Sequence, residues 1–157
     1  MRRVLPLQTL FLLAAALLPA QPIAAPILAA HNAVRARLSL PALEWSPTLA
    51  AHARQWAERL LARRQFFHRP DNPYGENLFA IAGAPATPAQ VVRSWAEEAA
   101  AYDHPTNTCR AQPCGHYTQI VWRETRRLGC AVARNSRREV WVCNYDPPGN
   151  FIGQRPY

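Results

Sequence analysis

Two histidines and two glutamates in this sequence are of the types that ligate metals or move protons: His68, Glu76, Glu98 and His116. His116 stands directly after Gly115 in the run Cys114-Gly115-His116-Tyr117-Thr118-Gln119-Ile120-Val121-Trp122, which fits neither a clean helix nor a solvated loop. Imidazole titrates near neutral pH and is the commonest metal ligand. Gly115 reads as a backbone bend or close approach just ahead of it. Glu76 follows Gly75 in the same way, before the apolar run Leu78-Phe79-Ala80-Ile81. His68 lies in Phe66-Phe67-His68-Arg69-Pro70, ahead of the turn signal Asp71-Asn72-Pro73. Taken singly, each has an ordinary alternative: a hydrogen-bonded core position for His116, a strand-end cap for His68, a helix start for Glu76. The chain contains no H-E-x-x-H helix and no G-x-S-x-G turn.

Several elements must position these residues. The spacing of Ile27, His31, Val34 and Leu38 predicts a first helix over 26–40, ended by Pro41. Ser46-Pro47 is an N-cap with proline at the first helical position, opening a helix with Leu49, Ala53, Trp56 and Leu60 on one stripe. Thr87-Pro88-Ala89-Gln90 fits a capping box. Beyond it Val91, Trp95, Glu98 and Tyr102 fall on one helical stripe, which puts Glu98 on the apolar face and leaves Glu97 outside to pair with Arg93. A carboxylate on a core-facing stripe is costly unless it is paired, ligating or protonated.

Residues 128–132 and 140–145 read as strands around a turn at Asn135-Ser136-Arg137-Arg138. Centring the hairpin there pairs Arg134 with Glu139, Val132 with Trp141, and Cys130 with Cys143. Opposed cysteines on adjacent strands are within disulfide reach. Cys109 and Cys114 enclose four residues, so a local bridge would brace the backbone before His116. The expected bridges are therefore Cys109–Cys114 and Cys130–Cys143. The Pro- and Gly-rich tail after Asp146 carries aromatics that suggest it packs over the domain.

Arg2 and Arg3 followed by the apolar run from Val4 to Leu18 read as an export signal, cleaved near Ala25, with Ala20 as second choice. The expected organisation is a signal peptide over 1–25 and one domain over 26–157, secreted or periplasmic, with no transmembrane segment in the mature chain. Four cysteines fit that oxidising compartment. Formal charge is +8, every basic residue is arginine, and lysine is absent, which points to a GC-rich coding bias and a bacterial source. Export argues against nucleic acid; the arginine pairs would give weak attraction to anionic lipid or an anionic cell-surface ligand. A monomer is expected.

Gly115-His116-Tyr117-Thr118-Gln119-Ile120-Val121-Trp122 and Val142-Cys143-Asn144-Tyr145-Asp146-Pro147-Pro148-Gly149-Asn150-Phe151 resemble the two signatures of the CAP superfamily. That superfamily comprises the cysteine-rich secretory, antigen 5 and pathogenesis-related 1 proteins, and its module is also called the SCP domain. The ending Gly153-Gln154-Arg155-Pro156-Tyr157 is similar to the plant group, and further matches to the superfamily are His31-Asn32 with Arg35, Leu43-Glu44-Trp45 and Gly75-Glu76-Asn77. The resemblance implies an α+β fold, a three-layer α-β-α sandwich with a small antiparallel sheet. It also implies a cleft lined by His68, Glu76, Glu98 and His116, with the histidines as ligands of zinc or a similar ion. Binding or effector activity, including lipid binding, is the function it implies, with Glu76 and Glu98 orienting the rings or a bound water. A metal-dependent, protease-like hydrolase with Glu76 or Glu98 as general base is the alternative, and a buried polar network that fixes helices to a sheet is the third reading. Two cysteines of the plant pattern are missing, and no cysteine-rich extension follows Tyr157.

Overall fold

The computed structural model describes residues 23–110 and 113–157. The expected signal sequence lies outside the described residues except for its last three positions. In chain order the elements are α1 (Ala24–Ala36), β1 (Glu44–Trp45), α2 (Pro47–Arg63), β2 (Gly75–Ala82), α3 (Pro88–Ala96), a 3₁₀ turn (Glu97–Ala100), β3 (Tyr102–Asp103), β4 (Thr108–Cys109), α4 (Gly115–Ile120), β5 (Arg127–Arg134) and β6 (Arg138–Asp146).

The sheet grows from the β5–β6 hairpin, whose register pairs Arg134 with Glu139, Val132 with Trp141 and Cys130 with Cys143, as expected. Both bridges form, Cys130–Cys143 across the hairpin and Cys109–Cys114 ahead of α4. β2 adds antiparallel to β6, and β1 adds parallel to β5, giving the order β1-β5-β6-β2. β3 and β4 form a separate two-stranded sheet. β6 is central and covered on both faces, so its side chains alternate between two cores. Trp141, Cys143 and Tyr145 pack with Ile27, Val91, Val92, Trp95 and Ile120 from α1, α3 and α4. Val140 and Val142 pack with Ala53, Trp56, Ala57 and Leu60 from α2. The result is the expected α-β-α sandwich.

Local chemistry explains the helix limits. Ser46 Oγ accepts from the Leu49 amide, and the Thr87–Gln90 capping box closes in both directions. α1 starts two residues before the expected Pro26, because a proline in the first turn lacks only an N–H that would have had no partner. It ends four residues short of Leu40, where Ser39 turns left-handed (φ 54°) and the Leu40 amide folds back to the Arg35 carbonyl. The third helix also stops early. α3 ends at Ala96 and tightens into the 3₁₀ turn, so Glu98 sits in that turn and Tyr102 in β3. Arg93 and Glu97, expected as an ion pair, are both exposed and do not meet.

The tail is strapped down as its aromatics suggest. Pro156 accepts from the Arg123 amide at 2.6 Å, Gln154 accepts from Asn107 Nδ2 at 3.1 Å, and Tyr157 stacks on His104 with ring centroids 4.6 Å apart. Among the described residues no helix is long and apolar enough to cross a membrane.

Candidate functional site

His116 opens α4, a six-residue helix whose Tyr117, Thr118, Gln119 and Ile120 are all buried. Being enclosed nearly all round, this helix has no polar face to give it an amphipathic signature. Gly115 does not adopt positive φ, and a Cβ there would only touch Asn150 Nδ2 at 3.7 Å; the bend expected at that glycine is absent. What fixes the turn is Glu98. Its Oε2 accepts from the amides of His116 (2.9 Å) and Tyr117 (3.3 Å), donors that a helix start leaves without intrahelical partners. Its Oε1 accepts from His116 Nδ1 at 2.6 Å. One carboxylate therefore both caps α4 and sets the imidazole, which stacks on Trp95 with centroids 6.0 Å apart.

His68 is held by the matching device on the other side of β2. Glu76, on the strand rather than at a helix start, accepts at Oε1 from His68 Nδ1 (2.8 Å) and the Arg69 amide (3.0 Å), and at Oε2 from Asn72 Nδ2 (3.3 Å). His52 Nε2 meets Asn72 Oδ1 at 3.1 Å, anchoring this loop to α2. The Glu76 side chain is 5% exposed and that of His68 64%. The hydrogen bond from His68 to Glu76 raises its pKa; partial burial opposes this and the Glu76 charge adds to it.

Strand alternation places Glu76 and Asn77 on opposite faces of β2. Asn77 Nδ2 donates to the His116 carbonyl (3.0 Å) and to Tyr145 Oη (3.1 Å). Tyr145 Oη is 2.9 Å from His31 Nε2, and His31 Nδ1 donates to the Ile27 carbonyl at 2.8 Å. Because a carbonyl only accepts, His31 is the Nδ1–H tautomer and takes the tyrosine proton at Nε2. A buried chain thus runs from α1 through the sheet to the backbone of His116.

Gln119 stands three residues after His116 on α4. It accepts from the Gly149 amide at 3.1 Å and fills the space beside Gly75 and Gly149. A Cβ on Gly75 would overlap Gln119 Oε1, and one on Gly149 would come within 2.6 Å of the Trp122 ring, so both approaches require glycine. His68, Glu76, Gln119 and Asn150 line a cleft of about 240 Å³; Glu98 and His116, expected in the same cleft, are not among its lining residues.

The chemistry follows from the donors. A carboxylate cannot donate, so each imidazole presents Nδ1–H to its glutamate and, when neutral, a lone pair at Nε2. Neither Nε2 has a hydrogen-bond partner among the described residues. Both glutamates have their oxygens engaged by amides, an asparagine or a histidine. Among the described residues, no group of three or more His, Cys, Asp or Glu is arranged to hold a metal ion. Gln119 and Tyr145 sit inside the signature motifs and Asn77 in the shorter match Gly75-Glu76-Asn77, but their hydrogen-bond partners are tertiary contacts that motif spacing does not give.

The profile of the cysteine-rich secretory protein (CAP) family matches residues 28–145. Pathogenesis-related protein 1B of Nicotiana tabacum is 46% identical over 130 residues, covering 82% of this chain and 77% of that protein. Pathogenesis-related protein 1 of Arabidopsis thaliana is 44% identical over 129 residues, covering 82% of this chain and 78% of that protein. In fold the chain is similar to Schistosoma mansoni venom allergen-like protein 4 (TM-score 0.73, 25% identity, 88% of this chain and 95% of that one). It is also similar to the crystal structure of NaASP2 with Zn2+ (TM-score 0.71, 23% identity, 88% and 86%). Both signature segments, the α-β-α layers and a profile match across the sheet and its helices agree, and the chain belongs to the cysteine-rich secretory protein (CAP) family.

Proposed function

We propose that this protein is a secreted binding and effector module in which His68 and His116 present Nε2 to a divalent cation, zinc being the best match to nitrogen donors. The observation that supports it is the paired geometry: each Nδ1 is fixed by a buried or half-buried carboxylate, as in the carboxylate–histidine arrangement that orients metal ligands. Glu76 and Glu98 hold the rings in place. With two protein ligands, water would complete the shell, and binding would be weaker than at a three-ligand site. The engagement of both glutamates favours binding over hydrolysis. A solved structure of the same fold contains Zn2+.

Zinc calorimetry on the oxidised protein tests this. One site is expected at about pH 7.5, lost in His68→Ala and in His116→Ala, and weakened at about pH 5, where protonated imidazole cannot ligate. Since the His68 pKa is raised, the weakening begins at higher pH than for a free imidazole at 6.5. Unchanged binding in both variants would exclude the cleft.

Lipid binding is the second reading, supported by a groove of about 440 Å³ between α1 and α3. Ala30, Ala33, Val34, Ala89, Val92 and Ala96 supply its apolar lining, and Arg37, Arg93 and Glu97 line it too. An acyl chain would lie on the alanines with its acidic headgroup at an arginine. Ala33→Trp should then abolish uptake of a fluorescent fatty acid while leaving zinc binding intact. Uptake at wild-type affinity in that variant would exclude the groove.

A further inference from the structure

At the far end of the β2–β6 ladder from Glu76, the hairpin tip meets the end of α2. There Arg64, Asn135, Ser136, Arg137 and Arg138 line a cleft of about 460 Å³. We propose that this cleft is a second binding site, for the oxyanion groups of an acidic polysaccharide.

Three arginines converge with no carboxylate among the lining residues. Glu139, adjacent in sequence, is turned inward to the Ala86 amide, Trp141 Nε1 and Arg134. Arg110, Arg126, Arg127 and Arg134 each reach an acidic side chain. Arg64, Arg137 and Arg138 do not, and among the described residues their guanidinium N–H groups make no hydrogen bond. Like charges held together without a counter-charge repel, so an arriving anion gains both the pairing and the relief of that repulsion.

The backbone beneath them is fixed. Asn135 Oδ1 accepts from the amides of Arg137 (2.9 Å) and Arg138 (3.0 Å), and the Gly83 amide reaches the Arg137 carbonyl at 3.3 Å. Arg64 is the left-handed cap of α2, its amide bonded back into the last turn. Guanidinium forks on such a base match sulfate, phosphate or carboxylate in paired fashion. The absence of any apolar residue from the lining argues against a membrane, where an arginine patch works together with an inserted apolar wedge. Several arginines spread along one cleft fit a repeating anion better than a single small one.

The site stands independently of the histidine pairs. Its test measures binding to heparin and to polygalacturonate at low salt, with inorganic phosphate and anionic phospholipid vesicles as separate arms. The double variant Arg137→Ala/Arg138→Ala and, separately, Arg64→Ala remove the cleft charges. The double variant Arg54→Ala/Arg123→Ala removes the same net charge elsewhere, and circular dichroism melts confirm that all variants fold. Expected are salt-sensitive binding of at least one polymer, a loss of about tenfold in the hairpin double variant, and less than about twofold in the control. Equal losses in both double variants would reduce the effect to net charge and overturn the site. Polymer binding no tighter than phosphate, or binding confined to vesicles, would overturn the polysaccharide assignment.

Discussion

Replacing Arg35 with alanine should destabilise the protein by about 4 kcal/mol, a large share of what a domain of this size has, and should strip the cleft of its order. Arg35 is fully buried on α1. Its Nε donates to the Pro41 carbonyl at 2.8 Å, Nη1 to those of Ile120 (2.9 Å) and Trp122 (2.8 Å), and Nη2 to that of Thr125 (3.2 Å). Ile120 and Trp122 lie at the end of α4, where carbonyls have no intrahelical partner and a cation is favoured. Burial lowers the Arg35 pKa to about 10, so the group stays charged at neutral pH. Arg35→Met keeps the stem and loses the donors; it should be nearly as destabilised as Arg35→Ala. Arg35→Lys should recover only part, since one ammonium cannot reach four diverging carbonyls. Urea unfolding checks the series, and a loss under about 1 kcal/mol in Arg35→Met would show that packing, not hydrogen bonding, is what Arg35 supplies.

His31 should impose an acid limit on stability. Burial lowers its pKa from 6.5 to about 4, with the neighbouring Arg35 charge acting in the same direction and the bond to the Ile27 carbonyl opposing. Between those values the unfolded chain binds a proton that the folded chain refuses, so stability is fully present above 6.5 and declines as pH falls toward about 4. The decline attributable to His31 is about 3 kcal/mol. His68 acts in the opposite sense, its raised pKa favouring the fold as pH falls, but its exposure makes that contribution small. In urea titrations across this range His31→Gln should be less stable than the parent at neutral pH and should have a shallower acid slope. A parallel slope would place the acid sensitivity elsewhere.

Most of the layer structure was legible in residue pattern. The hairpin register was readable because period-two alternation, one opposite-charge pair and one cysteine pair agree on it. The start of α3 was readable because a capping box is a local device. α4 was not, because its residues are buried between layers and carry no amphipathic period. The helix stripe that singled out Glu98 runs along a helix that does not continue past Ala96. A 3₁₀ turn after Ala96 keeps Glu98 near the α3 face while its carboxylate bonds α4 amides 18 and 19 residues away. Arg35 could be quoted as part of a motif, yet its role depends on carbonyls 85 to 90 residues distant, and no local rule reads that. The glycines that shape the cleft are Gly75 and Gly149, packed against Gln119 and Trp122; Gly115, where the sequence suggested a bend, does no such work.

The central claim concerns two ring nitrogens, and long-range proton–nitrogen NMR of the imidazoles addresses it most directly. At neutral pH, His68 and His116 should both show the Nδ1–H tautomer. On adding zinc, the Nε2 resonances of those two rings should move together, while those of His31, His52 and His104 stay in place. If the two rings show Nε2–H instead, or if zinc moves only other histidines, the carboxylate-set cleft is not the binding site.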